Sequence, residues 1–272
     1  MPSSESTLVP GEAEIDAGQF VGASAAVSDF PRCVVRDLGR IGYAEAFERQ
    51  RELVERRKRD EIPDQLLIVE HPHVVTMGRN GHDENVLASP ELLVRAGIGF
   101  HRTDRGGDVT YHGPGQIVGY PIFDLRKWKR DVGAYVRAIE QVLIGALAEF
   151  GIRSGAVKGA TGVWTDEGKI AAIGVHISRW VTSHGFALNV DTDLDFFRYI
   201  IPCGLTKPVT SMRALGCAAG RDQVVAAVER NFGRVFERNM FEGTMENSKG
   251  LASNSLPSAI LTEECAAPGA RG

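Results

Sequence analysis

The apolar positions of this chain fall into short segments whose period switches between two and about 3.6. "RCVVRDLG", residues 32 to 39, reads as a strand. From Tyr43 onward, Ala46, Phe47, Leu53 and Val54 recur among charges, which predicts an amphipathic helix. "LLIVEH" and "VVTMG" are short β-rich runs joined through Pro72. "SPELLVRAG" places Ser89 as an N-cap, Glu91 close behind it and Gly97 at its stop, the signature of a short helix. "IVGYPIFDL" is a long apolar strand. The clearest helix follows: Tyr135, Val136, Ile139, Val142, Leu143, Ala146, Leu147 and Phe150 form one stripe, closed by Gly151. "GVWTDEGKIAAIGVHISRWVTSHGFALNV" holds three β-like runs, the first two parted by the hairpin signal "DEG". "DQVVAAVERNFGRVFER" gives a last helix through Val224, Val225, Val228, Phe232, Val235 and Phe236.

Hairpins that follow one another without a helix between them do not suit a purely parallel, doubly wound sheet. The order predicts an α+β fold, a mixed and largely antiparallel sheet with helices packed against it. Residues 1–30 and 246–272 have no apolar period and are rich in small and polar residues. They are expected to be disordered tails on a folded domain spanning 31–245.

Composition narrows the function classes. With 272 residues, 43% of them hydrophobic, the chain can bury one sizeable core. A net charge of −4 offers no basic field for nucleic acid. No apolar run approaches the ~20 residues that cross a bilayer, so no membrane partner is expected. The N-terminus has neither the basic nor the apolar region of a signal peptide, which points to the cytoplasm. Cys33, Cys203, Cys217 and Cys265 form no CxxC pair and read as reduced thiols, one of which could be chemically active. Cys265 lies in the C-terminal tail and is a poor candidate.

The stretch "RGGDVTYHGPGQ" (105–116) looks too polar and too glycine-rich for core. Gly106 and Gly107 would let backbone approach a ligand closely, and Arg105 could add a charge. The alternative is a tight turn at a sheet edge, with His112 hydrogen-bonded for structure. The stretch is neither a Walker loop nor the dinucleotide GxGxxG. His71 and His73, on a possible strand and facing one side, could hold a metal, but no third ligand with clear spacing follows and no metal site is expected. His176 in "IGVHIS" reads as a structural histidine. Lys169 opens an apolar strand after a turn, where a solvated strand-end lysine is the plain reading. Cys203, between Pro202 and Gly204, sits on a non-helical bend suited to displaying a nucleophile, although most free cysteines are small buried hydrophobes. A nearby ammonium would lower its pKa from ~8.5. Spacing alone does not bring Lys169 and Cys203 together.

"EHPHVVTMGR", "RGGDVTYHGPGQIVGYPIFDL", "GKIAAIGVHISRWVTSHGFALNV" and "IIPCGLTKPVTSM", in that order, resemble the lipoyl(octanoyl) transferases of lipoate biosynthesis. The resemblance covers roughly residues 33 to 240. It implies a catalytic fold shared with lipoate and biotin protein ligases, and transfer of an octanoyl group from acyl carrier protein to a lysine of lipoyl domains. The acceptors it implies are 2-oxoacid dehydrogenase complexes and the glycine cleavage H protein. The family's acyl-thioester cysteine falls on Cys203 and its activating lysine on Lys169. Its substrate-binding segments fall on Arg105, Gly106, Gly107, Asp108, Val109, Thr110, Tyr111 and His112, on Ala172, Ile173 and Gly174, and on Gly185, Phe186 and Ala187. No cofactor is implied, because a thioester donor needs no activation by a nucleotide. Two other readings stand beside this one. An ATP-dependent lipoate or biotin ligase on the same fold is disfavoured because "PCG" is intact, and a non-catalytic acyl-chain or lipoyl-domain binder would leave Cys203 dispensable.

Overall fold

A computed structural model describes residues 29–201 and 208–243. Within them, chain order gives β1 (Arg32–Arg40), α1 (Tyr43–Lys58), β2 (Asp64–Glu70), β3 (Val74–Met77), α2 (Pro90–Arg95), β4 (Gly99–Arg102), β5 (Val109–His112) and β6 (Gln116–Ile122). There follow α3 (Val132–Ala148), β7 (Gly155–Val157), β8 (Ala160–Thr165), β9 (Gly168–Ser178), β10 (Val181–Asn189), α4 (Arg221–Phe236) and β11 (Asn239–Glu242). The eight-stranded sheet runs β11-β1-β2-β6-β10-β9-β8-β7, and β4-β3-β5 make a second, three-stranded sheet. From β2 through β7 every pairing in the large sheet is antiparallel, while β1 pairs parallel to both β2 and β11. The expected α+β class with a mixed, largely antiparallel sheet is what forms.

The large sheet is covered on both faces, which explains the near-continuous apolar runs of its central strands. On β2, Leu66 and Ile68 join Tyr135, Ile139 and Leu143 of α3 and Val228 and Phe232 of α4 in the main core. The alternate residues Leu67 and Val69 meet Ala46 of α1 together with Val118, Tyr120 and Ala187 on the other face. α2 starts as its sequence predicts, with the Ser89 hydroxyl accepting from the Leu92 amide at 3.3 Å. At the start of α3, the Asp131 carboxylate caps the Ala134 amide at 2.9 Å. The turn between β9 and β10 uses Arg179 and Trp180, both at positive φ (50° and 66°), residues that the usual hairpin signals do not include.

The structure revises one expectation and adds to two others. β2 and β3 belong to different sheets, so Pro72 marks the point where the chain leaves one for the other. The supposedly non-core stretch after Gly107 is buried: all four residues of β5 are inaccessible, as are Arg105 and Gln116. Its polar groups tolerate burial because they are hydrogen-bonded to one another and to β3. The short strands β4, β7 and β11 have too few apolar positions to be read from period alone; all three end their sheets. Residues 1–28 and 244–272, which hold nearly all of the expected tails, lie outside the described residues, as does the segment 202–207 with Cys203.

Candidate active site

The site is built on the central hairpin. β9 and β10 pair with Gly174 opposite Gly185, Ile173 opposite Phe186 and Ala172 opposite Ala187. Two segments that are separate in sequence are therefore one cross-strand patch. The loop Arg105–Asp108 lies on it, with the Gly106 amide donating to the Val175 carbonyl at 2.9 Å. A Cβ at Gly174 would stand 2.9 Å from the Gly106 oxygen, so only glycine permits this approach.

Arg105 pins the loop from below. Its Nη2 donates to the carbonyls of Thr76 (2.7 Å) and Asp108 (2.8 Å), and its Nη1 to that of Gly106 (3.1 Å). The residue is buried, and these donors hold the protein's own loop, whereas the sequence reading had Arg105 adding a charge for a ligand. Asp108 works in the same way: its carboxylate accepts from the His82 amide (3.1 Å) and from the Asn85 side chain (2.5 Å). On β5 the period of two divides the predicted residues. Thr110 and His112 face the patch, whereas Val109 and Tyr111 face away into a second core with Phe197 and Ile200. There the Tyr111 hydroxyl meets His73 Nδ1 at 2.7 Å.

Below the loop lies a narrow pocket of about 40 Å³, lined among others by Tyr43, His112, Val118, Tyr120, Ala172, Ile173, Phe186 and Ala187. Tyr43, Val118, Tyr120 and His184 had no role in the sequence reading; they come from strands and a helix whose approach no spacing reveals. His112 Nδ1–H donates to the Gln116 side-chain oxygen at 2.8 Å, and burial, aided by the neighbouring His71, pushes its pKa down to about 3. The ring is neutral. His71 is also depressed by burial, with Nδ1–H donating to the Ile41 carbonyl (2.8 Å) and Nε2 accepting from the Tyr120 hydroxyl (2.7 Å). His71 and His73 therefore lie between β2 and β3, not on a strand, and have separate partners. His176 sits near the Asp104 carboxylate at 3.5 Å.

The depressed histidines, His112 above all, set an acid sensitivity. Unfolded, such a ring takes up a proton near pH 6.5, while folded His112 resists it down to about 3. The unfolded chain thus binds more protons in that window, and stability falls as pH drops through it. For His112 alone the loss at pH 5 is about 2 kcal/mol relative to neutral pH. Thermal unfolding should show a clearly lower midpoint at pH 5 than at pH 7.5, and His112→Gln should flatten that dependence. An unchanged slope in the variant would remove His112 as its source.

A second, open cleft of about 700 Å³ begins on the other side of the glycine loop and is lined by Asn80, Asn85, Gly106, Gly107, Ile173 and Lys169, among others. Lys169 is only 9% exposed, not the solvated strand-end residue of the plain reading. Its Nζ stands 5.2 Å from the centre of the Trp164 ring. Its amide donates to the Pro208 carbonyl and its carbonyl accepts from the Thr210 amide, both at 2.9 Å. On the other flank of the segment that holds Cys203, the Ile201 amide donates to the Asn85 carbonyl at 2.8 Å. The described chain on either side of Cys203 is thus tied to two residues that line the same cleft. Of the other thiols, Cys33 is wholly buried, with its pKa pushed far up by burial, and Cys217 is half-buried. Among the described residues no helix is long and apolar enough to cross a membrane.

Residues 42–233 match the lipoyl protein ligase A/B catalytic domain. An octanoyltransferase of Solibacter usitatus is 63% identical over 211 residues, covering 78% of this chain and 96% of that one. One from Koribacter versatilis is 53% identical over 213 residues, covering 76% and 85%. Among solved structures, lipoate-protein ligase A bound with ATP superposes with a TM-score of 0.64 at 18% identity, covering 80% of this chain and 90% of that one. The putative lipoate protein ligase Ta0514 from T. acidophilum, with bound lipoic acid, gives 0.62 at 16% over the same shares. At such identities these two show a shared fold and no more. The chain belongs to the octanoyltransferases of the lipoyl protein ligase A/B catalytic-domain family.

Proposed function

We propose that this chain moves an octanoyl group from acyl carrier protein to a lysine of lipoyl domains, through a thioester on Cys203 and without ATP. The observation that carries this reading is a buried lysine at the edge of a glycine-walled cleft, with both flanks of the Cys203 segment tied to that cleft. The Cys203 thiolate attacks the donor thioester carbon. As the tetrahedral adduct collapses, the carrier thiolate leaves and takes a proton from the Lys169 ammonium. The acceptor amine then attacks the acyl-cysteine, its proton passes to Lys169, and Cys203 departs as thiolate with an amide formed. Thioester exchange is close to neutral in free energy and amide formation is downhill, so no nucleotide is required. Gly106 has its N–H committed to Val175, so the oxyanion must draw on other donors of the loop or of the Cys203 segment.

We place the acyl chain along the apolar walls Ile173, Phe186, Ala187 and Val118. The pocket there holds only about 40 Å³, less than eight carbons occupy, so the chain enters by parting these side chains, which then keep water from the thioester. Arg105 and Asp108 serve by holding the loop, and Val109 and Tyr111 by anchoring β5. The acceptors are 2-oxoacid dehydrogenase lipoyl domains and the glycine cleavage H protein, and the free thiol chemistry suits the cytoplasm. In the test, purified chain is given octanoyl–acyl carrier protein and an apo lipoyl domain with no ATP. Octanoylated domain should accumulate; product that appears only with ATP and free octanoate would favour a ligase instead.

The boundaries 31–245 follow the same reading. β1 and β11 pair within these limits, and the Gly243 amide donates to the Val35 carbonyl at 2.7 Å, which prolongs that pairing. A chain trimmed to 31–245 should unfold cooperatively and keep most of its transfer rate. Loss of the cooperative transition would place part of a tail in the fold.

A further inference from the structure

We infer that Glu140 is a positioning residue for Lys169, acting through the backbone of Gly162; this rests on the reading that Lys169 takes part in transfer. Glu140 lies on α3 between core positions Ile139 and Leu143 and is 8% exposed. A carboxylate is costly there unless it is bonded. Its Oε1 accepts from the Gly162 amide on β8 at 3.1 Å, a bond that reaches from helix to sheet.

Gly162 is where the lysine side chain passes. At φ +123° it holds a conformation that residues with a Cβ rarely adopt. A Cβ there would stand 2.5 Å from both the Ala171 carbonyl oxygen and Lys169 Cε, and 3.3 Å from the lysine Nζ. The lysine therefore crosses directly over the Gly162 α-carbon, with the Trp164 ring near its amine. The ladder between β8 and β9 is irregular at this point: Val163 faces Ala171 while Trp164 faces Lys169, leaving Ile170 as the extra residue. Such a bulge re-aims a side chain at the expense of regular pairing. Glu140 supplies the hydrogen bond that fixes the floor beneath the re-aimed lysine.

Displacement of a reacting group by ~1 Å can lower a rate about 10²-fold. The full chain is assayed for transfer from octanoyl–acyl carrier protein to an apo lipoyl domain, with Glu140→Ala, Glu140→Gln, Gly162→Ala and Lys169→Ala in parallel. Glu140→Ala and Gly162→Ala should lower kcat roughly ten- to a hundredfold with KM for the donor within about threefold. Glu140→Gln should keep at least about a third of kcat, because its amide oxygen can accept the same bond. A merely structural loss would give the same kcat pattern, so the apparent pKa of Cys203 alkylation by iodoacetamide is read as well. It should rise in Glu140→Ala towards that of Lys169→Ala and stay at the wild-type value in Glu140→Gln, and an unmoved value in Glu140→Ala overturns the inference. Should Glu140→Ala fail to fold, Glu140→Gln and Gly162→Ala still decide. The inference is overturned if Lys169→Ala is inactive while Glu140→Ala or Gly162→Ala keeps the wild-type kcat. It is also overturned if folded Glu140→Gln is as slow as Lys169→Ala. Full activity in Lys169→Ala would instead overturn the role of the lysine itself.

Discussion

Replacing Cys203 with alanine is expected to bring octanoyl transfer down to the uncatalysed rate. Cys203 is the thiol proposed as nucleophile, on its place between Pro202 and Gly204 in the sequence and its match to the family's cysteine. Cys33 is wholly buried, and burial holds it as the neutral thiol. Cys217 is half-buried against the main core, and Cys265 belongs to the C-terminal tail. Without the thiolate no acyl-enzyme forms, and the remaining pocket can only bring donor and acceptor together. A loss of about four orders of magnitude or more in kcat is the scale for removing a covalent nucleophile. Steady-state transfer by the variant, with its thermal midpoint as a control for folding, checks this. Activity within tenfold of wild type would mean that the donor thioester is attacked directly by the acceptor lysine.

Lys169→Ala should have the second-largest effect, with transfer lowered by about 10²–10⁴-fold. Two losses combine in it. An unperturbed thiol with a pKa of ~8.5 is only a few per cent ionised at neutral pH, whereas a neighbouring ammonium favours the thiolate. The group that moves protons to the leaving thiol and from the incoming amine is removed as well. The two can be separated by iodoacetamide alkylation of Cys203, which reports the thiolate alone. Its apparent pKa should rise in the variant, and transfer should fall further than alkylation does. The double variant should be no worse than Cys203→Ala, since the residues serve one step. Identical alkylation profiles with and without Lys169 would show that the two groups are not coupled.

How far the sequence reached depended on whether a feature was local. The helices α1, α3 and α4 repeat their burial pattern every few residues, so period alone gave them, while β8, β9 and β10 were legible as apolar runs divided by turns, β10 being buried along its whole length. β5 did not show itself: Val109, Thr110, Tyr111 and His112 do alternate apolar and polar, but four residues between glycine-rich turns are too short a run for the period to stand out. The polarity of Arg105 and Asp108 pointed to solvent or ligand. Their hydrogen bonds to Thr76, His82 and Asn85 depend on β3 and its following loop lying alongside, a tertiary fact with no local trace. Lys169 looked solvated for the same reason: Pro208–Thr210, which runs beside it, is distant in sequence. That the segments around Arg105, Ala172 and Gly185 meet was implied by a family resemblance, and the β9–β10 register gives it a physical cause. Gly106 and Gly107 were the part legible from chemistry, since close approach of backbone needs them, while Gly174 and Gly185 came only with the resemblance.

The most direct test of the central claim is the intact mass of the wild-type chain after incubation with octanoyl–acyl carrier protein, with neither ATP nor acceptor present. One octanoyl group should be added, removable by hydroxylamine, absent in Cys203→Ala, and lost when an apo lipoyl domain is supplied. An adduct that persists in Cys203→Ala on Cys33 or Cys217, or one that an acceptor domain cannot discharge, would contradict transfer through Cys203.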